Sequence, residues 1–464
     1  MNMRKTTTTL TACGAAIVAV ALLGGWGLSR ATQAHLDDVK AQAESNTIFK
    51  TAAEPKLPDN PEVQRGAYLA RVGDCVACHT APGGKPFAGG LGMETPIGKV
   101  YSTNITPDKT TGIGSYSLEE FDNAVRHGVA KQGHTLYPAM PYTSYAYVKS
   151  DDVKAMYAYF MQGVQPVEQA NKATDITWPL SMRWPLAVWR KMFAPAVTTD
   201  NTAIPEGDKI AVGRYLVEGL GHCSTCHTPR GVALQEKAGT DADGTAFLSG
   251  SVLEGWLARN LRGDKADGLG NWSEQDIVEL LKTGRNAHGA TFGSMGDVVS
   301  HSTEHMTQND LQAMAAYLKT LTPLRPDAPA LAYNDSAAKA MFDGSTKDVG
   351  ALLFVDNCAA CHRTSGKGYD GVFPALALNP SVNAQDPSSV IHLILQGAEM
   401  PSTTEAPTHF AMPGFADRLT NEEVAHIATF VRNSWGNQAP AVTADQVKKL
   451  RKQVQAAAAP ERSK

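Results

Sequence analysis

Three short stretches of this sequence share one pattern: Cys75-Val76-Ala77-Cys78-His79, Cys223-Ser224-Thr225-Cys226-His227 and Cys358-Ala359-Ala360-Cys361-His362. Two thiols three positions apart on one helical turn can form thioether bonds to the two vinyl groups of one haem, and the adjacent histidine then reaches the iron as its fifth ligand. A Cys-x-x-Cys pair alone reads equally as a redox dithiol or half of a zinc site. Here all three pairs carry the histidine and six of the seven cysteines are used, which leaves no second zinc half-site. Three covalently bound haem c groups are expected, attached at Cys75 and Cys78, Cys223 and Cys226, and Cys358 and Cys361, with His79, His227 and His362 as axial ligands.

The length, 464 residues, suits about three domains. A net charge of -4 leaves no basic footprint for nucleic acid. The 41 glycines and 26 prolines fit small domains whose loops wrap a flat cofactor. At the N-terminus Arg4 and Lys5 precede an uncharged stretch from Leu10 to Leu28, which reads as an export signal or a membrane anchor. Thr32-Gln33-Ala34 is a small-x-small cleavage site, so removal and retention both stay open. Cys13 is not a lipidation site, because the apolar stretch follows it instead of preceding it.

The chain then repeats three times. Each unit opens with a short helix running into its cysteines, around Gly66-Ala67-Tyr68, Gly213-Arg214-Tyr215 and Gly350-Ala351-Leu352-Leu353-Phe354. A middle helix runs from Ser117, Ser273 or Ser388, each suited to an N-cap, to a closing glycine at 128, 284 or 397. A last helix starts at Ser150-Asp151-Asp152, Thr307-Gln308-Asn309-Asp310 or Thr420-Asn421-Glu422-Glu423. Alignment on Asp152, Asp310 and Glu423 puts Tyr159, Tyr317 and Phe430 in register, expected to pack near Tyr68, Tyr215 and Phe354. This helix order is that of a small class I cytochrome c, so the fold class is mainly α, with three tandem class I cytochrome c-type haem domains.

That repeat also selects a sixth ligand, expected as a methionine between the middle and last helices. The choices are Met140, Met295 over Met306, and Met412 over Met400, by their spacing from the closing glycine and the last helix. His134, His288 and His409 lie in the same loops and His222 precedes Cys223; these are read as surface or propionate-side histidines. A bis-histidine iron would have a lower potential than His/Met ligation.

The resulting division is a signal peptide or anchor (1–34), a spacer (35–60), cytochrome c domain 1 (61–165), a Trp-rich interdomain linker (166–205), domain 2 (206–322), a second linker (323–341), domain 3 (342–438) and a basic C-terminal tail (439–464). Three of the seven tryptophans fall within residues 176–193, expected as a buried wedge between domains, the alternative being a docking face for a partner, lipid or quinone. In the tail, Val447, Leu450 and Val454 stand at helical spacing beside Lys448, Lys449, Arg451 and Lys452, which suits an anionic membrane surface or a frayed end.

From about Gly66 to Trp435 the sequence resembles the three-haem cytochrome c subunits of membrane-bound bacterial dehydrogenases that oxidise alcohols, aldehydes, gluconate or other sugar acids and polyols. The resemblance is carried by Cys75 to Gly84, by Tyr101-Ser102-Thr103-Asn104-Ile105-Thr106-Pro107-Asp108 followed by Gly112-Ile113-Gly114, by His222 to Arg230, by Phe292-Gly293-Ser294-Met295-Gly296-Asp297-Val298-Val299 and by Phe373-Pro374-Ala375-Leu376. It implies that the Pro374 carbonyl steadies His362. It also implies a separate catalytic dehydrogenase subunit of flavin, pyrroloquinoline quinone or molybdenum type. Electrons would pass from it to ubiquinone or a terminal oxidase on the periplasmic side of the inner membrane. On this reading the chain has no catalytic residue of its own. Competing readings are a general carrier, a haem subunit of a terminal oxidase, or a haem enzyme such as a peroxidase.

Overall fold

A computed structural model describes residues 57–458 except 206 and 254. The expected signal or anchor, most of the spacer, Cys13 and the last six residues lie outside this range. Among the described residues no helix is long and apolar enough to cross a membrane. Residues 57–81 and 85–458 belong to one compact unit.

The architecture is mainly α. Three successive repeats each contain an opening helix, a one-turn helix over the Cys-x-x-Cys-His pattern, a middle helix and a closing helix, joined by two-stranded hairpins. The opening helices are Pro61–Val72, Lys209–Arg214 continued as a wider turn over Tyr215–Leu220, and Val349–Asn357. The closing helices are Ser150–Gln162, Gln308–Thr320 and Asn421–Asn433.

Opening and closing helices meet at a glycine. A Cβ on Gly66, Gly213 or Gly350 would fall inside contact distance of a closing-helix carbonyl (Ala155, Ala313, His426) and 2.9, 2.8 or 2.7 Å from the Cβ of Tyr159, Tyr317 or Phe430. The aligned aromatics therefore do pack on the opening helices, and bare backbone is what lets the helices approach this closely.

Tyr68 and Tyr215 behave differently from the expectation. The Tyr68 hydroxyl accepts from Thr307 N (3.1 Å) and donates to Asp310, at the start of the second repeat's closing helix. The Tyr215 hydroxyl accepts from Lys149 N (3.2 Å) and donates to Asp152 (2.5 Å), at the start of the first repeat's closing helix. Each tyrosine thus caps the other repeat's helix, where free N–H groups and the helix dipole need partners. Ser150 is accordingly not an N-cap: Lys149 holds that position without a side-chain capping bond, and Ser150 N donates to Asn201 Oδ1 (2.8 Å). Phe354 alone stays within its repeat, 5.6 Å from Phe430 between ring centroids. Ser117 and Ser273 cap their middle helices in capping boxes, as does Thr420 its closing helix. Ser388 is instead the first helical residue, after Pro387.

These contacts fuse the first two repeats into one core running through Leu69, Met156, Phe160, Leu220, Leu281 and Tyr317, while the third has its own around Phe354, Ile391, Val424 and Trp435. The third repeat docks on the second through Leu257 N donating to Ser389 Oγ (2.8 Å) and through Trp256 stacked on His392, 3.8 Å between centroids at 13°.

Two expectations are corrected. The segment read as a tail forms the helix Ala444–Ala458, whose Val447, Leu450 and Val454 are buried against the third repeat, with Arg451 donating to Leu419 O (2.7 Å) and Asn421 Oδ1 (2.8 Å). Its apolar stripe is thus occupied by protein and is neither frayed nor offered to a membrane. Within the Trp-rich linker only Trp189 acts as a wedge, packing on Tyr142 and donating to Ala233 O (2.7 Å). The helix Trp184–Phe193 has no buried residue, and Trp178, Trp184 and Met192 are 79, 68 and 67% exposed.

Candidate functional site

The three Cys-x-x-Cys-His stretches adopt the same local geometry. Cys75–Cys78, Ser224–His227 and Ala359–His362 are single helical turns, so both sulfurs of a pair project from one turn with the histidine at its end. A glycine in the left-handed region brings the chain back over each turn: Gly89, Gly250 and Gly368 (φ 73°, 97° and 60°) donate to the carbonyls of His79, His227 and His362 at 2.8, 2.7 and 3.1 Å.

Each imidazole is then oriented by a second carbonyl. Nδ1 of His79 donates to Thr103 O (2.7 Å), that of His227 to Arg259 O (2.7 Å) and that of His362 to Pro374 O (3.0 Å). With the proton on Nδ1, the Nε2 lone pair is free to ligate a metal. Burial lowers the pKa of all three imidazoles, that of His227 to about 4, so the neutral form is held ready. Of these three acceptor carbonyls, the sequence resemblance implies only that of Pro374. Yet each lies fourteen positions before the serine that opens the middle helix (Ser117, Ser273, Ser388), so counting back within the repeat would have found Thr103 and Arg259.

A redox dithiol needs a thiol of lowered pKa, and burial acts the opposite way on the first cysteine of each pair. Burial pushes Cys75, Cys78, Cys223 and Cys358 up to about 12. Cys78, Cys226 and Cys361 are nevertheless exposed to solvent. Cys226 adds to the upward push on Cys78, so the second cysteines of the first two repeats lie close together.

Of the methionines, Met140 and Met295 are half-buried against the core that also receives Cys75 and Cys223, and Met412 against the core that receives Cys358. Met306 is instead an interior core residue, 2% exposed. His288 stacks on Trp272 and leans on Asp276 (3.3 Å), and His409 leans on Glu399 (3.3 Å). His222 packs edge-on against Tyr145, at the junction of the first two repeats.

The cytochrome c family model matches residues 210–322 and 348–435. The cytochrome c subunit of gluconate 2-dehydrogenase from Pantoea cypripedii is 55% identical over 394 residues, 84% of this chain and 89% of that protein. The chain belongs to the family of cytochrome c subunits of dehydrogenases. The corresponding subunit of the quinone alcohol dehydrogenase of Gluconobacter oxydans is 48% identical, over 86% of this chain and 84% of its own. That of the fructose dehydrogenase of Gluconobacter japonicus is 36% identical, over 86 and 85%. A cytochrome c carries its haem covalently, and this subunit has the donors for it: paired thiols on one turn, a neutral imidazole with Nε2 free, and a solvent-exposed sulfur in each pair.

Proposed function

We propose that this subunit carries three haem c groups and relays electrons from a partner dehydrogenase to ubiquinone or the respiratory chain, on the periplasmic side of the inner membrane. The haems attach at Cys75 and Cys78, Cys223 and Cys226, and Cys358 and Cys361. Their irons are ligated by His79 and Met140, His227 and Met295, and His362 and Met412. The observation that carries this reading is the threefold recurrence of one turn whose histidine gives its Nδ1 proton to a backbone carbonyl.

When bound, haem c supplies a one-electron iron centre. The chain's own residues do the rest. The carbonyls of Thr103, Arg259 and Pro374 fix the imidazole rings, so no ligand reorganisation accompanies a change of charge. The cores packed on Met140, Met295 and Met412 exclude bulk water from the distal sulfurs. The two tyrosine caps hold the first and second repeats in one arrangement, which keeps their cysteine turns adjacent. The partner oxidises an alcohol, aldehyde or sugar acid, and its flavin, pyrroloquinoline quinone or molybdenum centre resides on that other chain.

The membrane contact is assigned to the exposed stripe Trp178, Leu180, Trp184, Val188 and Met192. Between Asp175 and Asp200 there is no acidic residue, while Arg183, Arg190 and Lys191 are basic. Tryptophan with cations on one short helix suits an anionic lipid interface.

The test is purification of the tagged chain from mild-detergent membrane extracts, with a haem count and identification of any companion subunit and its cofactor. Three haems per chain, reduced on adding the companion's substrate, support the relay. Recovery alone, or with an oxygen-reducing complex, rejects it.

A further inference from the structure

The three repeats meet one structural need with three different side chains. The carbonyl that orients the imidazole belongs to Thr103 in the first, Arg259 in the second and Pro374 in the third. Only the second repeat therefore places a charge there. The Arg259 guanidinium stacks on Trp272, 4.3 Å from the ring centroid, and Trp272 is itself 3% exposed. Among the described residues no carboxylate and no hydrogen-bond acceptor meets this guanidinium. Arg259 is half-buried; the fully buried arginines are provided for, Arg262 donating to Asp241, Phe247 O and Thr322, and Arg432 to the carbonyls of Pro440, Val382, Ala384 and Gln385. A guanidinium stays cationic at neutral pH.

A fixed positive charge favours the reduced state of a nearby iron, which carries one positive charge fewer. We propose that Arg259 is a potential-setting residue that raises the reduction potential of the second repeat's haem, and of that haem alone. This rests on reading Cys223, Cys226, His227 and Met295 as a haem c site. The side chain, stacked on Trp272, would act through its field and through any anionic edge of the cofactor it faces. Loss of either interaction works in the same direction. An unpaired unit charge this close, screened as protein interiors screen, changes a one-electron equilibrium roughly tenfold, or about 59 mV.

The experiment is an optical redox titration of the purified full chain, with a haem count, for the unaltered protein and for Arg259→Pro, Arg259→Thr and Arg259→Lys. Proline and threonine are the residues the other repeats carry, and threonine serves if the proline variant loses haem. Three haems are retained. One of the three midpoint potentials falls by the equivalent of about tenfold in the neutral variants, the other two stay in place, and lysine recovers at least half of the shift. Unmoved potentials in a three-haem threonine variant overturn the inference, as does a lysine variant that falls as far as threonine. Fewer than three haems in the unaltered chain overturns the three-haem reading and this inference with it.

Discussion

Replacing Gly213 by alanine tests the packing on which the repeat is built. Alanine is the better helix former by about 1 kcal/mol, so on an exposed helix the change stabilises. Here the added methyl would lie 2.5 Å from the carbonyl carbon of Ala313 and 2.8 Å from Tyr317 Cβ. Carbon atoms in contact sit about 3.5–4.0 Å apart, so the opening and closing helices would have to part by about 1 Å. Because the obstacle is backbone, no rotamer change relieves it, and the overpacking cost belongs at the upper end of about 1–3 kcal/mol. Net of propensity, the loss is about 2 kcal/mol. For a cooperative unit the size of the first two repeats this lowers the melting temperature by roughly 4–8 °C. Gly219, six residues on in the same opening segment, is the control: its added methyl meets Tyr147 Cβ at an ordinary 3.7 Å. Thermal melts of the haem-loaded chain should therefore rank Gly219→Ala at or above the unaltered protein and Gly213→Ala clearly below it. If Gly213→Ala melts at or above the unaltered protein, the close glycine contact does not hold these helices together.

Three further outcomes are expected. Tyr215→Phe removes the hydroxyl that joins Lys149 N to Asp152, and should cost about 1–2 kcal/mol and speed hydrogen exchange at the Lys149 amide; unchanged exchange there would remove the capping role. Asp264 accepts from Leu324 N (2.8 Å), Arg325 N (2.9 Å) and Asn260 Nδ2 (2.8 Å). Burial acts to raise its pKa, but these bonds and the Arg325 charge outweigh burial and hold it below the ordinary carboxylate value. A depressed folded-state pKa contributes stability above the unfolded value of about 4 that is lost as pH falls through the folded value. Asp264→Asn should therefore be less stable at pH 7 by about 1–3 kcal/mol and lose less on acidification; parallel acid-unfolding curves would contradict this. Met140→Leu should remove one haem's share of the sulfur-to-iron charge-transfer band of the oxidised protein while Met306→Leu leaves the band intact, and the reverse result would exchange their roles.

What the sequence by itself determined are the features whose chemistry is local. Two thiols and an imidazole on one turn specify covalent haem through a spacing of five residues, and helix caps such as Ser117 and Ser273 act on their own first turns. The threefold period placed the aromatics Tyr159, Tyr317 and Phe430, because a helix face repeats with the helix. The tertiary structure decided whatever depends on which surfaces meet. Tyr68 and Tyr215 sit where an intra-repeat aromatic would, as Phe354 does, but their hydroxyls reach across to the neighbouring repeat's helix start. Val447, Leu450 and Val454 make an amphipathic stripe that would serve lipid or protein equally, and the third repeat buries it. The linker tryptophans have the composition of a buried wedge, yet only Trp189 finds a pocket while Trp178 and Trp184 stay in solvent. A hydrophobic pattern states that a face needs covering; the relative placement of the repeats, fixed by contacts distant in sequence, determines what covers it.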